Sequence, residues 1–203
     1  DKSQVGEIIQ DFFDPAETQG DRGPTTAKRM QRYEGEATPL ATAAVKKALD
    51  RTNIKPAAIT HLITCSCTGF QAPGIDVALM KKFDLSAQIS RTHIGFMGCH
   101  GGFTALRVAK AYAESEPHAV VLIVCIELCS LHFQYTEDPE QIVANSIFAD
   151  GAAALIGCSS ESPESLAPDG WSLVDQTSVL LPNSADHMGW TIGDNGFEMT
   201  LSP

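Results

Sequence analysis

Positive charge is scarce in this sequence: 14 Lys and Arg stand against 25 Asp and Glu, a formal net charge of -11 over 203 residues. Nucleic-acid binding rests on lysine and arginine neutralising the phosphate backbone, so DNA and RNA are excluded as partners, while a local basic patch for a small anion is not. Long hydrophobic runs are missing too. No stretch approaches the roughly 18 apolar residues of a membrane span, and no basic segment followed by an apolar core opens the chain, so no signal peptide is read there. A cytoplasmic setting follows as the default. The first residue is Asp rather than Met, which reads as a piece cut from a longer chain.

Metal-binding patterns are equally thin. There is no Cys-x-x-Cys followed by a second such pair, and none of His61, His93, His100, His118, His132 or His187 stands in an H-x-x-x-H spacing, so no metal site is expected. The Cys65-x-Cys67 pair is a weak signal by itself. Internal repeats and low-complexity tracts are absent. What remains is an ordinary globular composition, 43% hydrophobic and 19% charged, long enough to bury a real core. Six cysteines (Cys65, Cys67, Cys99, Cys125, Cys129 and Cys158) lie mostly in apolar, strand-like segments. There they behave as small hydrophobes and favour a reducing compartment.

The first 32 residues mix glycine, proline and charge without a sustained apolar period and read as loop with short helix. In "TPLATAAVKKALDR", Thr38 is placed as an N-cap, Pro39 as the first helical residue, and Leu40, Ala44, Val45 and Leu49 on one face. Strands are expected at Thr60 to Ser66, Ile89 to Phe96 and Ala119 to Leu128, and helices at "PGIDVALMKKFDL", "FTALRVAKAYAE" and "PEQIVANSIFA". "DGAAALIGCSS" and "GWSLVDQTSVLLP" read as two more strands, and the tail from Ser184 as loop. Continuous apolar strands alternating with helices predict an α/β fold with a parallel sheet covered on both faces.

Cys99 stands out within "HIGFMGCHGGFTALRVAK". It falls where a buried strand ends and a helix begins, the edge of an open parallel sheet at which ligands bind. Backbone N–H groups and the positive helix end favour an anion there, which is expected to stabilise a thiolate. Gly98, Gly101 and Gly102 permit a tight turn and close approach of a substrate, in the manner of a nucleophile elbow. A catalytic nucleophile and a buried structural cysteine both fit this pattern. His100 is adjacent but points elsewhere, whereas His132, just past a strand end, is placed to line a site. "FADGAAALIGCSS" lacks the spacing and lysine of a phosphate loop and reads as a tight turn into a strand.

Four blocks, "RYEGEATPLATAAVKKAL", "ITHLITCSCTGFQAPG", "GCHGGFTALRVAK" and "FADGAAALI", resemble in order and spacing those of the type III polyketide synthases, the chalcone and stilbene synthase family. The resemblance runs from about Lys28 to Pro203 and implies a thiolase-like layered α/β fold. Residues 1–160 would then form an N-terminal domain carrying the nucleophile, and residues 161–203 the start of the C-terminal half. It implies that Cys99 is loaded with an acyl group from coenzyme A and extended by decarboxylative condensation with malonyl-CoA, in a homodimer needing no metal or prosthetic group. Phe148 matches the gatekeeper phenylalanine, and Cys67, Thr68, Cys129, His132, Met188, Trp190 and Met199 match pocket positions.

The cysteines at 67 and 129 resemble those of the bacterial tetrahydroxynaphthalene synthases, which condense malonyl units only. Trp190 falls where plant chalcone synthases carry glycine, implying a smaller or reshaped cavity. Ala72 replaces the methionine that plant enzymes push across the dimer interface. The family's histidine and asparagine, which bind the thioester carbonyl, are implied beyond Pro203. Two rival readings are a ketoacyl synthase initiating fatty-acid synthesis, which shares the cysteine elbow, and a noncatalytic dimerisation fragment.

Overall fold

The computed structural model describes residues 11–162 and 170–201. The first ten residues of the expected N-terminal loop, and the stretch 163–169 beside the expected join at 160/161, lie outside the described residues. Three parallel strands, of which β3 is almost continuously apolar and β2 is a mixed, largely exposed edge, belong to a four-stranded sheet: β1 (His61–Ser66), β2 (Ser90–Gly95) and β3 (Val120–Glu127). Strand order is β2-β1-β3-β4, with β4 at Gly151–Cys158.

β4 runs antiparallel to β3, pairing Val120 with Cys158 and Glu127 with Gly151, which corrects the expectation of a wholly parallel sheet. The cause lies in the connection. Ser130, just past β3, donates its backbone N–H and hydroxyl to the two Asp150 carboxylate oxygens at 2.8 and 2.6 Å. The chain between them, including α4 (Pro139–Ile147, capped by Asp138), therefore returns to the sheet end it left instead of crossing over. Alternating half-exposure along β4 suits such an edge position.

Alternate side chains of β1 and β3 feed two cores. Leu62, Leu122 and Val124 pack with Tyr33, Ala37, Ala41 and Val45 of α1 (Thr26–Asp50) and with Ile75 and Leu79 of α2 (Ile75–Phe83). Ile63, Val121 and Ile123 pack on the opposite face with Ala105 and Ala109 of α3 (Gly101–Ser115). The result is helix, sheet, helix in three layers.

α1 starts thirteen residues earlier than expected. Thr25, not Thr38, is its N-cap, and Pro39 lies in the helix interior. A proline there removes one backbone bond and crowds the carbonyl four residues back. That residue is the exposed Gly35, and the helix continues because Arg29, Tyr33, Ala37, Ala41 and Val45 form a buried stripe of four-residue period on both sides of Pro39. Tertiary burial outweighs the local signal.

The strand expected in "GWSLVDQTSVLLP" does not form; residues 170–187 carry no regular element, and Trp171, Val174, Val179 and Leu180 lie exposed. The tail expected to be loop instead forms a hairpin, β5 (Met188–Gly193) and β6 (Gly196–Leu201). Its two-residue connection, Asp194 and Asn195, closes on Gly196 at φ +109, a backbone state that favours glycine. The hairpin is tied to the start of α1: Thr26 N–H donates to the Asp194 carbonyl at 2.8 Å, and Gly196 N–H to the Thr26 hydroxyl at 2.8 Å.

Candidate active site

The turn carrying Cys99 is sharp. β2 ends at Gly95, and within three residues the backbone passes through two left-handed positions, Phe96 at φ 55 and Gly98 at φ +66. Gly98 adopts this without penalty; Phe96 stores about 1 kcal/mol or more of strain. Phe96 is held by its N–H on the Ser66 carbonyl, at 3.2 Å, and by edge-on contact with Phe197, at 5.7 Å. Cys99 is the middle residue of the single 3-10 turn Gly98–His100 that leads into α3, and its side chain is exposed. Its side chain is therefore not sealed in the core. Gly101, buried at the helix start, is required by proximity: a Cβ there would sit 2.6 Å from the Cys65 sulfur.

Cys99 opens onto a cavity of about 1850 Å³ at the C-terminal ends of β1 and β3. Every residue assigned to the pocket lines it, with Phe148: Cys67, Thr68, Cys129, His132, Met188, Trp190 and Met199. Phe148, half-buried, ends α4 with its N–H on the Ala144 carbonyl at 3.2 Å. Trp190 and Met199 face each other across the hairpin, and Met188, at its start, is 55% exposed.

Sequence reasoning missed the residue that organises this edge. Glu127 is the one charged group in the apolar β3 run, which was its available signal. Its carboxylate accepts the Cys67 backbone N–H at 3.0 and 3.1 Å and the Thr68 hydroxyl at 2.6 Å, with Ser66 at 3.4 Å. The Thr68 hydroxyl also accepts the Leu128 N–H at 2.9 Å, and Tyr33 donates to Ser66 at 2.8 Å. Charge-assisted bonds to one carboxylate thus hold the ends of two parallel strands in register.

His132 lines the cavity but is 2% exposed, with both ring nitrogens engaged. Its Nε2–H donates to the Thr68 carbonyl at 2.6 Å and its Nδ1 accepts the Phe197 N–H at 3.0 Å, which assigns the neutral Nε2–H tautomer. Burial lowers its pKa to about 4. Stacked on Phe197 at 4.0 Å and edge-on to Trp190 at 5.3 Å, it braces the hairpin against β1 and is not a free base.

Burial likewise pushes the Cys67 thiol up to about 12, with the Glu127 charge adding to it, and the Cys129 thiol up to about 11. Both stay protonated near neutrality. Arg29 was also missed. Fully buried, it donates to the backbone carbonyls of Pro24 (2.7 Å), Phe133 (2.7 Å), Arg22 (3.2 Å) and Leu131. It thereby anchors the segment that presents Cys129 and His132; desolvation lowers its pKa to about 10. Among the described residues, no group of three or more His, Cys, Asp or Glu could hold a metal ion, and no helix is long and apolar enough to cross a membrane.

Comparison with known proteins adds a consistent result. The family described as chalcone and stilbene synthases, N-terminal domain, matches residues 7–160. The alpha-pyrone synthesis polyketide synthase-like Pks18 of Mycobacterium tuberculosis is 38% identical over 182 residues, covering 89% of this chain and 46% of that protein. A putative chalcone synthase of Bacillus subtilis is 32% identical over 191 residues, covering 89% and 52%. The chain therefore spans about half the length of these curated relatives. Among solved structures, 1,3,6,8-tetrahydroxynaphthalene synthase of Streptomyces coelicolor superposes with a TM-score of 0.80 at 28% identity, covering 88% of this chain and 50% of that one. The thiolase-like fold of such enzymes is the α/β layering found here.

Proposed function

Because this chain belongs to the chalcone and stilbene synthase family, we propose that it supplies the nucleophile-bearing half of a type III polyketide synthase, an acyltransferase acting on coenzyme A thioesters. The observation that carries this reading is the exposed Cys99 on a strand-to-helix turn, opening onto a cavity lined by all the pocket positions that the resemblance assigns. Residues 1–160 form the N-terminal domain, and residues 161–203 begin the C-terminal half.

The Cys99 thiolate attacks the thioester carbonyl of an acyl-CoA, the tetrahedral adduct collapses, and coenzyme A leaves as its thiolate, which takes a proton from solvent, with the acyl group on Cys99. Malonyl-CoA then loses carbon dioxide. The resulting carbanion attacks the acyl carbonyl, forms the carbon–carbon bond and frees the Cys99 sulfur. Phe148 packs an aromatic face against the malonyl group and keeps water from the carbanion. The histidine and asparagine that accept the developing oxyanion belong, by the same resemblance, to the part of the protein after Pro203. No prosthetic group enters these steps. The enzyme acts as a cytoplasmic homodimer, with neither metal nor nucleic acid as a partner. Cys67 and Cys129, protonated and uncharged, shape the wall beside Trp190 and favour small, malonyl-derived starters.

The test is intact mass of the full-length polypeptide after incubation with an acyl-CoA. An acyl adduct that disappears in Cys99→Ala is expected. An adduct that survives that substitution, or none on the full-length wild type with any of acetyl-, malonyl- and hexanoyl-CoA, overturns the reading.

A further inference from the structure

Two cysteines at the cavity edge have no part in that reaction. Cys65 on β1 and Cys125 on β3 are directly opposite in the parallel register, and their thiols interact electrostatically. Both sulfurs lie beneath the first turn of α3: the Gly101 Cβ position is 2.6 Å from the Cys65 sulfur, and the Gly102 position 3.7 Å from that of Cys125. Gly101 therefore leaves the Cys65 sulfur its room, while the Gly102 position is in ordinary contact with that of Cys125. Both side chains also line the cavity that Cys99 opens onto, so a small solute can reach them.

Paired strands hold their Cα atoms about 4.8 Å apart, inside the roughly 4.4–6.8 Å that a disulfide spans. We infer that Cys65 and Cys125 form a redox-active dithiol, a modification site that a peroxide converts to a cross-strand disulfide beneath the turn carrying Cys99. Side chains standing parallel on neighbouring strands must lean together to bond. The linkage is consequently strained and readily reversed by thiol reductants.

The order of events follows from which of the two thiols loses its proton first. Their interaction across the strands raises the pKa of Cys65 and lowers that of Cys125. The Cys125 thiolate attacks one peroxide oxygen; the O–O bond breaks, the second oxygen leaves as water after taking up a proton, and Cys125 becomes a sulfenic acid. The Cys65 sulfur then attacks the Cys125 sulfur, the S–O bond breaks, and a second water leaves carrying the Cys65 proton. Two thiols are oxidised by two electrons while one hydrogen peroxide is reduced to two waters.

The experiment uses the full-length enzyme carrying Cys67→Ala, Cys99→Ala and Cys129→Ala, treated with hydrogen peroxide while folded, then denatured and alkylated with N-ethylmaleimide. Oxidation is expected to remove two alkylation sites together, dithiothreitol to restore both, and a further Cys65→Ala or Cys125→Ala change to abolish the paired loss. No paired loss, or conversion of either residue to sulfinic acid with the other still alkylated, overturns the inference. Should the triple variant aggregate, fragmentation mass spectrometry of the oxidised wild type decides: a Cys65–Cys125 linked peptide supports it, and its absence at full peroxide consumption rejects it. Acylation of Cys99 does not enter either readout, so failure of the proposed reaction leaves this test intact.

Discussion

Trp190 donates its indole N–H to the Cys67 carbonyl over 2.6 Å, joining residues 123 positions apart in one wall of the cavity. The tryptophan is half-buried, edge-on to both His132 and Phe197, so its ring fills space while its nitrogen fixes the hairpin to the end of β1. Trp190→Phe keeps most of the ring and deletes the bond, and should lower unfolding stability by about 1 kcal/mol. A reduced urea midpoint with an unchanged slope is the expected measurement. An unchanged midpoint means the bond contributes nothing. For the proposed enzyme, Trp190→Ala widens the pocket, and mass spectrometry of products from malonyl-CoA should show a shift toward longer chains.

The buried imidazole of His132 gives the fold an acid sensitivity. Its pKa falls from an ordinary 6.5 to about 4 because burial disfavours the cation. In the unfolded chain the ring takes a proton near pH 6.5, so its stabilisation is complete above that pH and is lost as pH falls from there toward 4. The slope reaches at most about 1.4 kcal/mol per pH unit. Denaturant unfolding between pH 7 and pH 4.5 should therefore weaken the wild type more than His132→Gln. Parallel curves for the two proteins contradict the assignment.

Adjacent glycines at the start of α3 should respond in opposite ways. Gly101→Ala brings a Cβ to 2.6 Å from the Cys65 sulfur and is expected to cost about 1–3 kcal/mol, part of it recovered when Cys65→Ala is added. Gly102→Ala meets the Cys125 sulfur at an ordinary 3.7 Å and gains helix propensity, for an effect between neutral and about 1 kcal/mol stabilising. Thermal unfolding of the three variants decides. Equal effects of the two single substitutions would contradict the close approach.

Thiol reactivity should separate Cys99 from its neighbours. Cys67 and Cys129, with pKa values pushed up to about 12 and about 11, are almost wholly protonated at pH 8. The thiolate is the nucleophile, so iodoacetamide should modify both at least ~100-fold more slowly than a free cysteine. Exposed Cys99 should be labelled before either. A time course with peptide mapping tests the order, and early labelling of Cys67 or Cys129 counts against it.

Much of this site was legible in the chain itself. Cys99 followed from an apolar strand, a glycine-rich turn and a helical period arriving in that order, and the pocket positions from the resemblance of four blocks. Glu127, Arg29 and Phe197 were harder to read because their roles depend on partners distant in sequence. Glu127 serves the β1 end 60 residues earlier, and Arg29 serves carbonyls 102 and 104 residues later. His132 lines the cavity, yet only its two ring contacts reveal it as a brace.

Local chemistry settled the α/β class, the positions of three parallel strands and the helix after Cys99, since hydrophobic period, turn glycines and strand propensity act over a few residues. Tertiary structure decided what those signals left open or misdirected. Burial of the four-residue stripe in α1 carried the helix past Pro39. The Ser130–Asp150 tie brought β4 back antiparallel, and docking against Thr26 and His132 turned a glycine-rich tail into a hairpin. In each case the free energy comes from surfaces and hydrogen bonds supplied by residues far along the chain, which local sequence does not report.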